Sequence, residues 1–600
     1  MSMRRTGYLL ACVMLLLAAC GSQSSLEPTT EPPTQSAPSP TAEQPTATPV
    51  APTSEPATDT PSPTSEPAAE AATEAPPPLA EHPGLPLPTD RGTLFSASGA
   101  CSICHTSMVD QAGIDVSTDT FWRASMMANS ARDPYWQASV RSETLAHPEL
   151  QAAIEDKCAT CHTTMAHRTV VAAAGTGQVL DNGFLNPAHA LHGLGVDGVS
   201  CTVCHQIRDE GFGESGSYSG GFVIDTALPA GERESFGPHP VPKGMAMQMQ
   251  KASGFVPIES LHVEQAELCA TCHTLYTPFV DAEGQIAGQF PEQTPYLEWL
   301  ASSFGGSLTC QGCHMPQAEG RVRISLTGGP PISPFHQHIF VGGNAYMLAI
   351  LQAFGDEMAV TASSAQFQDK QEQVVGQLSG RTASVRLEEV NLDGSTLRAE
   401  VALASMVGHK LPTGFPSRRI WLHLTVQDGS GQVVFESGAA NPDGSIVGND
   451  NDADPAAYER HHLVIDSQDQ VQIYESILGD TEGNVTTTLL KGAGYLKDNR
   501  LLPAGFDKSA VQDDIAVHGT ALEDEDYAGG GDRIQCLIDL QEAQAPFTVT
   551  AELLYQSIGY RWADNLQHYD AAEPADFSRY YEQVPNQPIV IASDTAQVRE

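Results

Sequence analysis

The chain has 600 residues, and 30 Lys and Arg stand against 73 Asp and Glu, a net charge of −43. That length holds roughly three or four domains' worth of material, and the charge excludes nucleic acid as a partner, because phosphates need a basic surface. A surface this acidic suits a soluble, exposed protein whose partners are basic, metallic or weakly associating; adaptation to salt is the plainer reading of the same charge.

In chain order, Arg4 and Arg5 precede the apolar run YLLACVMLLLAAC. It is too short to span a bilayer comfortably and has the layout of a secretory signal, residues 1–20. It ends Leu17-Ala18-Ala19-Cys20 before Gly21, which resembles a bacterial lipobox in which Cys20 receives lipid and becomes the mature N-terminus; ordinary cleavage after a small residue is the alternative. No other run is long and apolar enough to cross a membrane. The expectation is an exported lipoprotein, anchored to a membrane and facing the periplasm or the cell exterior. Residues 21–88 are nearly all Pro, Thr, Ser, Ala and Glu. Such a segment cannot bury enough apolar surface to fold, and it reads as a disordered, extended stalk that includes His82.

Residues 89–378 contain ten of the thirteen cysteines. PELQAAIEDKCATCH, with Pro148 in a first turn, ESLHVEQAELCATCH and SSAQFQDKQEQVVGQLSG have helical spacing, the last stopping at Gly380. Gly-rich loops such as GFGESGSYSGG lie between them. From residue 379 the texture changes to short β-type runs, among them TASVRLEEV, TLRAEVALAS, RIWLHLTVQD, QVVFESG, IQCLIDL and FTVTAELLYQS, with QDGSGQ as a hairpin turn. The expected fold is an α-rich region with little regular secondary structure over 89–378, followed by an all-β, sandwich-like domain over 379–600. Cys536, alone in one run, reads as a small buried hydrophobe.

Five motifs share one pattern: CSICH at Cys101, CATCH at Cys158, CTVCH at Cys201, CATCH at Cys269 and CQGCH at Cys310. Composition alone gives roughly 0.01 such motifs in a chain of this length. Two cysteines three apart form thioethers to the two vinyl groups of one haem, and the next histidine binds the iron. Zinc ribbons need no histidine after each pair, a redox dithiol does not recur five times, and disulfides leave the histidines unexplained. The cofactor expectation is five covalent c-type haems. They are held by Cys101, Cys104, Cys158, Cys161, Cys201, Cys204, Cys269, Cys272, Cys310 and Cys313, with His105, His162, His205, His273 and His314 as proximal ligands. Five haems this close would form much of the core of their region and a path for electrons.

Each iron has a sixth position. Candidate distal ligands in the region are His147, His167, His189, His192, His239, His262, His336 and His338. Met126, Met127, Met165, Met245, Met247 and Met249 are rivals for which core packing is the simpler role.

These motifs and their surroundings resemble a family of multihaem c-type cytochromes. The class includes the tetrahaem cytochrome that accepts electrons from hydroxylamine oxidation and, more distantly, hydroxylamine oxidoreductase and pentahaem nitrite reductase. The resemblance covers most of 92–600. It rests on DGVSCTVCHQI, ELCATCHTLYTP, EQTPYLEWLASSFGGSLTCQGCHMP and FHQHIFVGGN, and in the β-type region on GHKLPTGFPSRRIWL and YLKDNRLLPAGF. It implies a distal role for His336 or His338, favours His189 and His192, and makes His409 a distal ligand donated by the sandwich, which would dock the two domains. YLKDNRLLPAGF has no mechanism at this stage. All five motifs end in His, without the Lys-ending variant of many catalytic nitrite-reductase haems, and no crosslinking tyrosine is identifiable.

DNDAD at Asp450–Asp454 has carboxylates at alternate positions, as calcium loops do. Pro455 and His461 stand where an EF-hand needs Gly and Glu, so an acidic solvated loop competes with a calcium site. The resulting functional expectation is an electron carrier between a membrane-side donor and an external or periplasmic acceptor, with redox proteins as partners and no catalytic residues. One rival is a reductase or oxidase of a small nitrogen or sulfur compound at a five-coordinate haem. The other is a structural subunit of a cytochrome complex or filament.

Overall fold

Short helices dominate the first half of the structure, a computed structural model that describes residues 81–599. The signal, Cys20 and most of the stalk lie outside the described residues. Residues 81–88, expected in the stalk, are instead part of the fold. His82 is buried, its N–H donates to Ser364 Oγ at 2.9 Å, its carbonyl accepts from Ser364 N–H at 3.0 Å, and Leu85 N–H donates to Val360 O at 2.9 Å. The backbone of this run is bound to the loop before a long helix, which is why it packs although the composition around it is stalk-like.

The helix Pro134–Ala146 shows how sequence sets these elements. Asp133 caps it by accepting from Tyr135 N–H (2.9 Å) and Trp136 N–H (3.2 Å), and Pro134 fills the first position, where no N–H is needed. Pro148 opens a 3-10 turn that leads into Gln151–His162. The helix expected over 259–273 is two pieces, a turn at Leu261–Glu264 and a helix Ala266–His273, because Gln265 is extended between them. Ser364–Arg381 forms as one helix under a reciprocal capping box between Ser363 and Gln366, and the first strand of the sandwich begins at Ala383.

One sheet of the sandwich places Thr396–Ser405 between Ala383–Asp393 and Gly531–Asp539, with Val464–Ile465 parallel at the edge. The other pairs Arg419–Gln427 with Phe547–Gln556, Ile473–Tyr474 and Val433–Ser437, and Phe547–Gln556 with Ile589–Val598. The Asp428–Gln432 turn makes the expected hairpin, with Gly431 at φ +84°. Inward and outward residues alternate, so Ile534, Cys536 and Ile538 are buried on one strand. Cys536 is the buried hydrophobe expected, its thiol pushed up to about 12 by burial.

Two helices that the all-β expectation did not include, Tyr560–Leu566 and Ala572–Gln583, follow the strand Phe547–Gln556. The second packs on Pro134–Ala146. Phe577 meets Tyr135 edge-on at 5.3 Å, and Arg141 grips both carboxylate oxygens of Glu573 at 2.9 Å. One core runs from Met347, Leu351 and Phe367 in the helical half to Val401, Leu424 and Ala551 in the sheets. The described residues are accordingly one compact unit.

Candidate functional site

Each of the five motifs lies on a short helix, or at the end of a longer one: Gly99–Ser102, Gln151–His162, Cys201–Cys204, Ala266–His273 and Cys310–His314. Helical spacing of three puts the two thiols of a motif on one face, and the histidine follows at the turn's end. All ten motif thiols are free of disulfides. Thiols of different motifs are near enough to shift each other's ionisation: Cys101 with Cys201, Cys161 with Cys272, and Cys269 with Cys310. The fourth motif is thus a neighbour of both the second and the fifth, and Cys272 is also within electrostatic reach of Cys204 of the third.

Four of the five motif histidines share one mark. Each donates Nδ1–H to a backbone carbonyl: His105 to Ile324 (2.7 Å), His162 to Ser130 (2.9 Å), His205 to Phe236 (2.5 Å) and His314 to Val341 (2.5 Å). That bond fixes the tautomer and leaves the Nε2 lone pair for a metal. Burial holds the imidazoles of His162 and His273 at about 4, so both are neutral, the form that ligates. Trp136, which nothing in the sequence singled out, stacks on His162 with ring centres 4.4 Å apart and planes 2° from parallel. A Trp two residues into a capped helix, one turn above buried Val140, was its only signal.

Two rings from far along the chain face motif histidines. His338 lies opposite His205 with ring centres 6.3 Å apart and planes at 23°. His409 lies opposite His314, again at 6.3 Å and at 18°. An imidazole nitrogen binds a transition metal at roughly 2.0 Å and sits roughly 1.1 Å from its ring centre, so two rings on opposite sides of one ion have centres about 6 Å apart. Two direct-stacked rings would be far closer, as Trp136 and His162 are. These residues therefore fit an iron between them. Burial beside His205 and His105 pushes His338 down to about 3, and burial lowers His409 as well. His409 comes from the loop before the sandwich strand Arg419–Gln427, so the pair spans the two halves.

The other candidates divide by which nitrogen is occupied. His192 and His336 carry the motif mark, donating Nδ1–H to Phe184 O (3.0 Å) and Met315 O (2.8 Å). His262 uses both nitrogens, on Ser260 Oγ (2.6 Å) and Ile207 O (2.7 Å), and His167 commits Nε2 to Asp156 (3.1 Å). His189 Nδ1 accepts from Leu191 N–H (3.1 Å), which puts its proton on Nε2. These three rings are engaged by the protein's own groups. His147 is buried with Nε2 unpartnered, and His239 is half-buried. Met165 is fully buried beside Phe95 and Val203, and Met247 is exposed, as packing and surface roles require.

The carboxylates of 450–454 do not converge. Asp452 is spent on Arg419 (2.9 Å) and Ile446 N–H (2.8 Å), and Asp454 accepts from Ala456 N–H (2.9 Å). A different acidic group, His461, Asp524 and Asp532, is buried with its ligand atoms within 4.8 Å of one another. Its hydrogen bonds argue against a metal. Gln472 is fixed by accepting His462 N–H, and Asn499 by accepting Glu475 N–H; both then donate to His461 Nδ1, at 2.7 and 3.0 Å. Nδ1 is thus the acceptor, Nε2 carries the proton, and Nε2–H donates to Asp524 at 3.0 Å.

No protein-family model and no curated protein matches the chain. Among solved structures it is similar to a penta-heme cytochrome c552 from Thermochromatium tepidum, with 16% sequence identity, a TM-score of 0.44, and coverage of 80% of this chain and 95% of that one.

Proposed function

We propose that the chain is a pentahaem c-type cytochrome that carries electrons between redox partners, anchored through lipid on Cys20 and facing the periplasm or the cell exterior. When bound, c-type haem supplies a one-electron iron couple. The ten motif cysteines would hold five such groups, and the motif histidines would be their proximal ligands. The observation that carries the reading is the pair of near-parallel imidazole couples, His205 with His338 and His314 with His409, at 6.3 Å. Iron held between two imidazoles has no open position for a substrate, which favours transfer over catalysis at those two sites. His192 and His336, anchored through Nδ1 with Nε2 free, are the next distal ligands. The nearness of thiols of motifs one and three, two and four, and four and five supports a connected array rather than isolated sites. No helix among the described residues is long and apolar enough to cross a membrane, so the proposed attachment rests on Cys20.

The test is electron paramagnetic resonance of the oxidised, haem-loaded protein, quantified against total haem. The expected result is five low-spin haems. A high-spin fraction of about one haem in five that shifts with nitrite, hydroxylamine or cyanide would replace the carrier reading with an enzyme.

A further inference from the structure

The segment YLKDNRLLPAGF has no part in the function proposed above, yet its charged residues are buried and Asp498 pairs with Lys410 on the loop that carries His409. Asp498 accepts from Lys410 Nζ at 2.7 Å and from Arg500 Nε and Nη2 at 2.9 and 2.8 Å. Arg500 Nη1 reaches Glu298 at 3.0 Å. Glu298 in turn accepts from the Lys410 backbone N–H (3.1 Å) and from Thr413 Oγ1 (2.6 Å). The Lys410 and Asp498 side chains are 0% and 1% exposed, and those of Arg500 and Glu298 6% and 0%. Leu411 and Leu501 complete the junction by exchanging two backbone hydrogen bonds, both at 2.9 Å.

Two cations and two anions close this cluster electrically, which is what allows four charges to be buried together. Such a cluster contributes little net stability against apolar residues of the same volume, but displacing any one member leaves an uncompensated buried charge. The cluster fixes residue 410 at its backbone N–H through Glu298 and at its ammonium through Asp498. The carbonyl of the same residue accepts Nδ1–H of His409 at 2.8 Å and so sets the rotation of that ring. Glu298 belongs to the helix Pro295–Leu300, on the segment that runs on to Cys310 and His314. The cluster therefore ties the loop of His409 to the helix Pro295–Leu300, whose Trp299 indole N–H donates at 2.9 Å to Leu308 O, just before the motif of His314.

We propose that Glu298, Lys410, Asp498 and Arg500 are positioning residues that hold His409 in register with His314 for the haem of Cys310 and Cys313. This rests on the reading of His409 as that haem's sixth ligand. The experiment compares the full-length, haem-loaded parent with Asp498→Asn, Glu298→Gln and His409→Ala by electron paramagnetic resonance and potentiometric titration. His409→Ala identifies the signal: one low-spin haem is lost. Asp498→Asn and Glu298→Gln are expected to shift the largest g value and the midpoint potential of that same haem and to leave the other four signals in place. Loaded variants with all five signals and potentials at parent values would overturn the positioning role. If His409→Ala itself changes no signal, the ligand reading fails instead. Where the charge variants do not accumulate as loaded protein, Thr413→Val decides. It deletes one hydrogen bond to Glu298 and no charge, and a shift of the same signal supports the role, while an unchanged spectrum overturns it.

Discussion

Glu143 accepts the N–H groups of Leu489 (2.6 Å) and Leu490 (3.4 Å), which join the helix Pro134–Ala146 to the far half of the chain. Burial outweighs those two bonds and pushes its carboxyl up to about 7 from an ordinary 4.5. Between those values the unfolded chain has released a proton that the folded chain keeps, so stability from this group falls as pH rises from 4.5 to 7 and is level above. Glu143→Gln keeps an oxygen for Leu489 and removes the titration. It is expected to be more stable than the parent by about 2–3 kcal/mol at pH 8 and equal to it at pH 4, in chemical denaturation at the two pH values. A difference that does not change with pH would show that packing, not protonation, decides. At this scale the sequence was readable only where chemistry is local. The motif cysteines and histidines sit within five residues of each other and announce themselves. His338 and His409 were reachable only through the family resemblance, because their partners are set by folding, and so are the oxygens that occupy His262 and His167.

Elements follow their local signals more closely. Ser363 and Gln366 satisfy each other's backbone N–H groups at the start of Ser364–Arg381, and the S-x-x-Q spacing was visible in the chain. Ser363→Ala leaves an N–H at that end unpaired and is expected to cost about 1 kcal/mol, read as a lower denaturation midpoint with an unchanged slope. A cost near zero would mean that the buried face at Phe367, Val374 and Leu378 fixes the helix alone. The strands of the sandwich were equally legible, since alternation over Gly531–Asp539 and Thr396–Ser405 is a period of two whatever the partner. Two features were less so. The break at Gln265 has no Pro or Gly to mark it. The helix Ala572–Gln583 lies in a polar stretch, although Pro574 in its first turn and Phe577, Tyr580 and Tyr581 at helical spacing were a signal that could have found it.

For the whole molecule, the proposed function makes attachment and cofactor content the quantities to measure. Cys20→Ala is expected to move the exported protein from the membrane fraction to the soluble fraction with its haem content unchanged; continued membrane association would point to a different anchor. The cofactors bear on folding as well as on function. Around the first three motifs the apolar clusters are small: Leu94, Phe95, Met165, Leu194 and Phe222 in one, and Trp136, Val140, Val179, Leu180 and Phe184 in another. The sandwich instead has a dense core that includes Val401, Leu422, Leu424, Ile534, Val549 and Leu553, all fully buried. A region with short helices and small clusters cannot offset the entropy of ordering its loops by itself, so bound groups must contribute to its stability. Chain produced without haem attachment is therefore expected to lose protease resistance across roughly residues 92–320 while a fragment carrying the sandwich survives, and haem-loaded protein is expected to resist in both regions. The two helices that the sandwich lends to Pro134–Ala146 would be cut at intermediate rates, since they lose one packing partner and keep the other. Identical cleavage patterns with and without haem would mean that the protein cores suffice and that the five motifs contribute nothing to the fold.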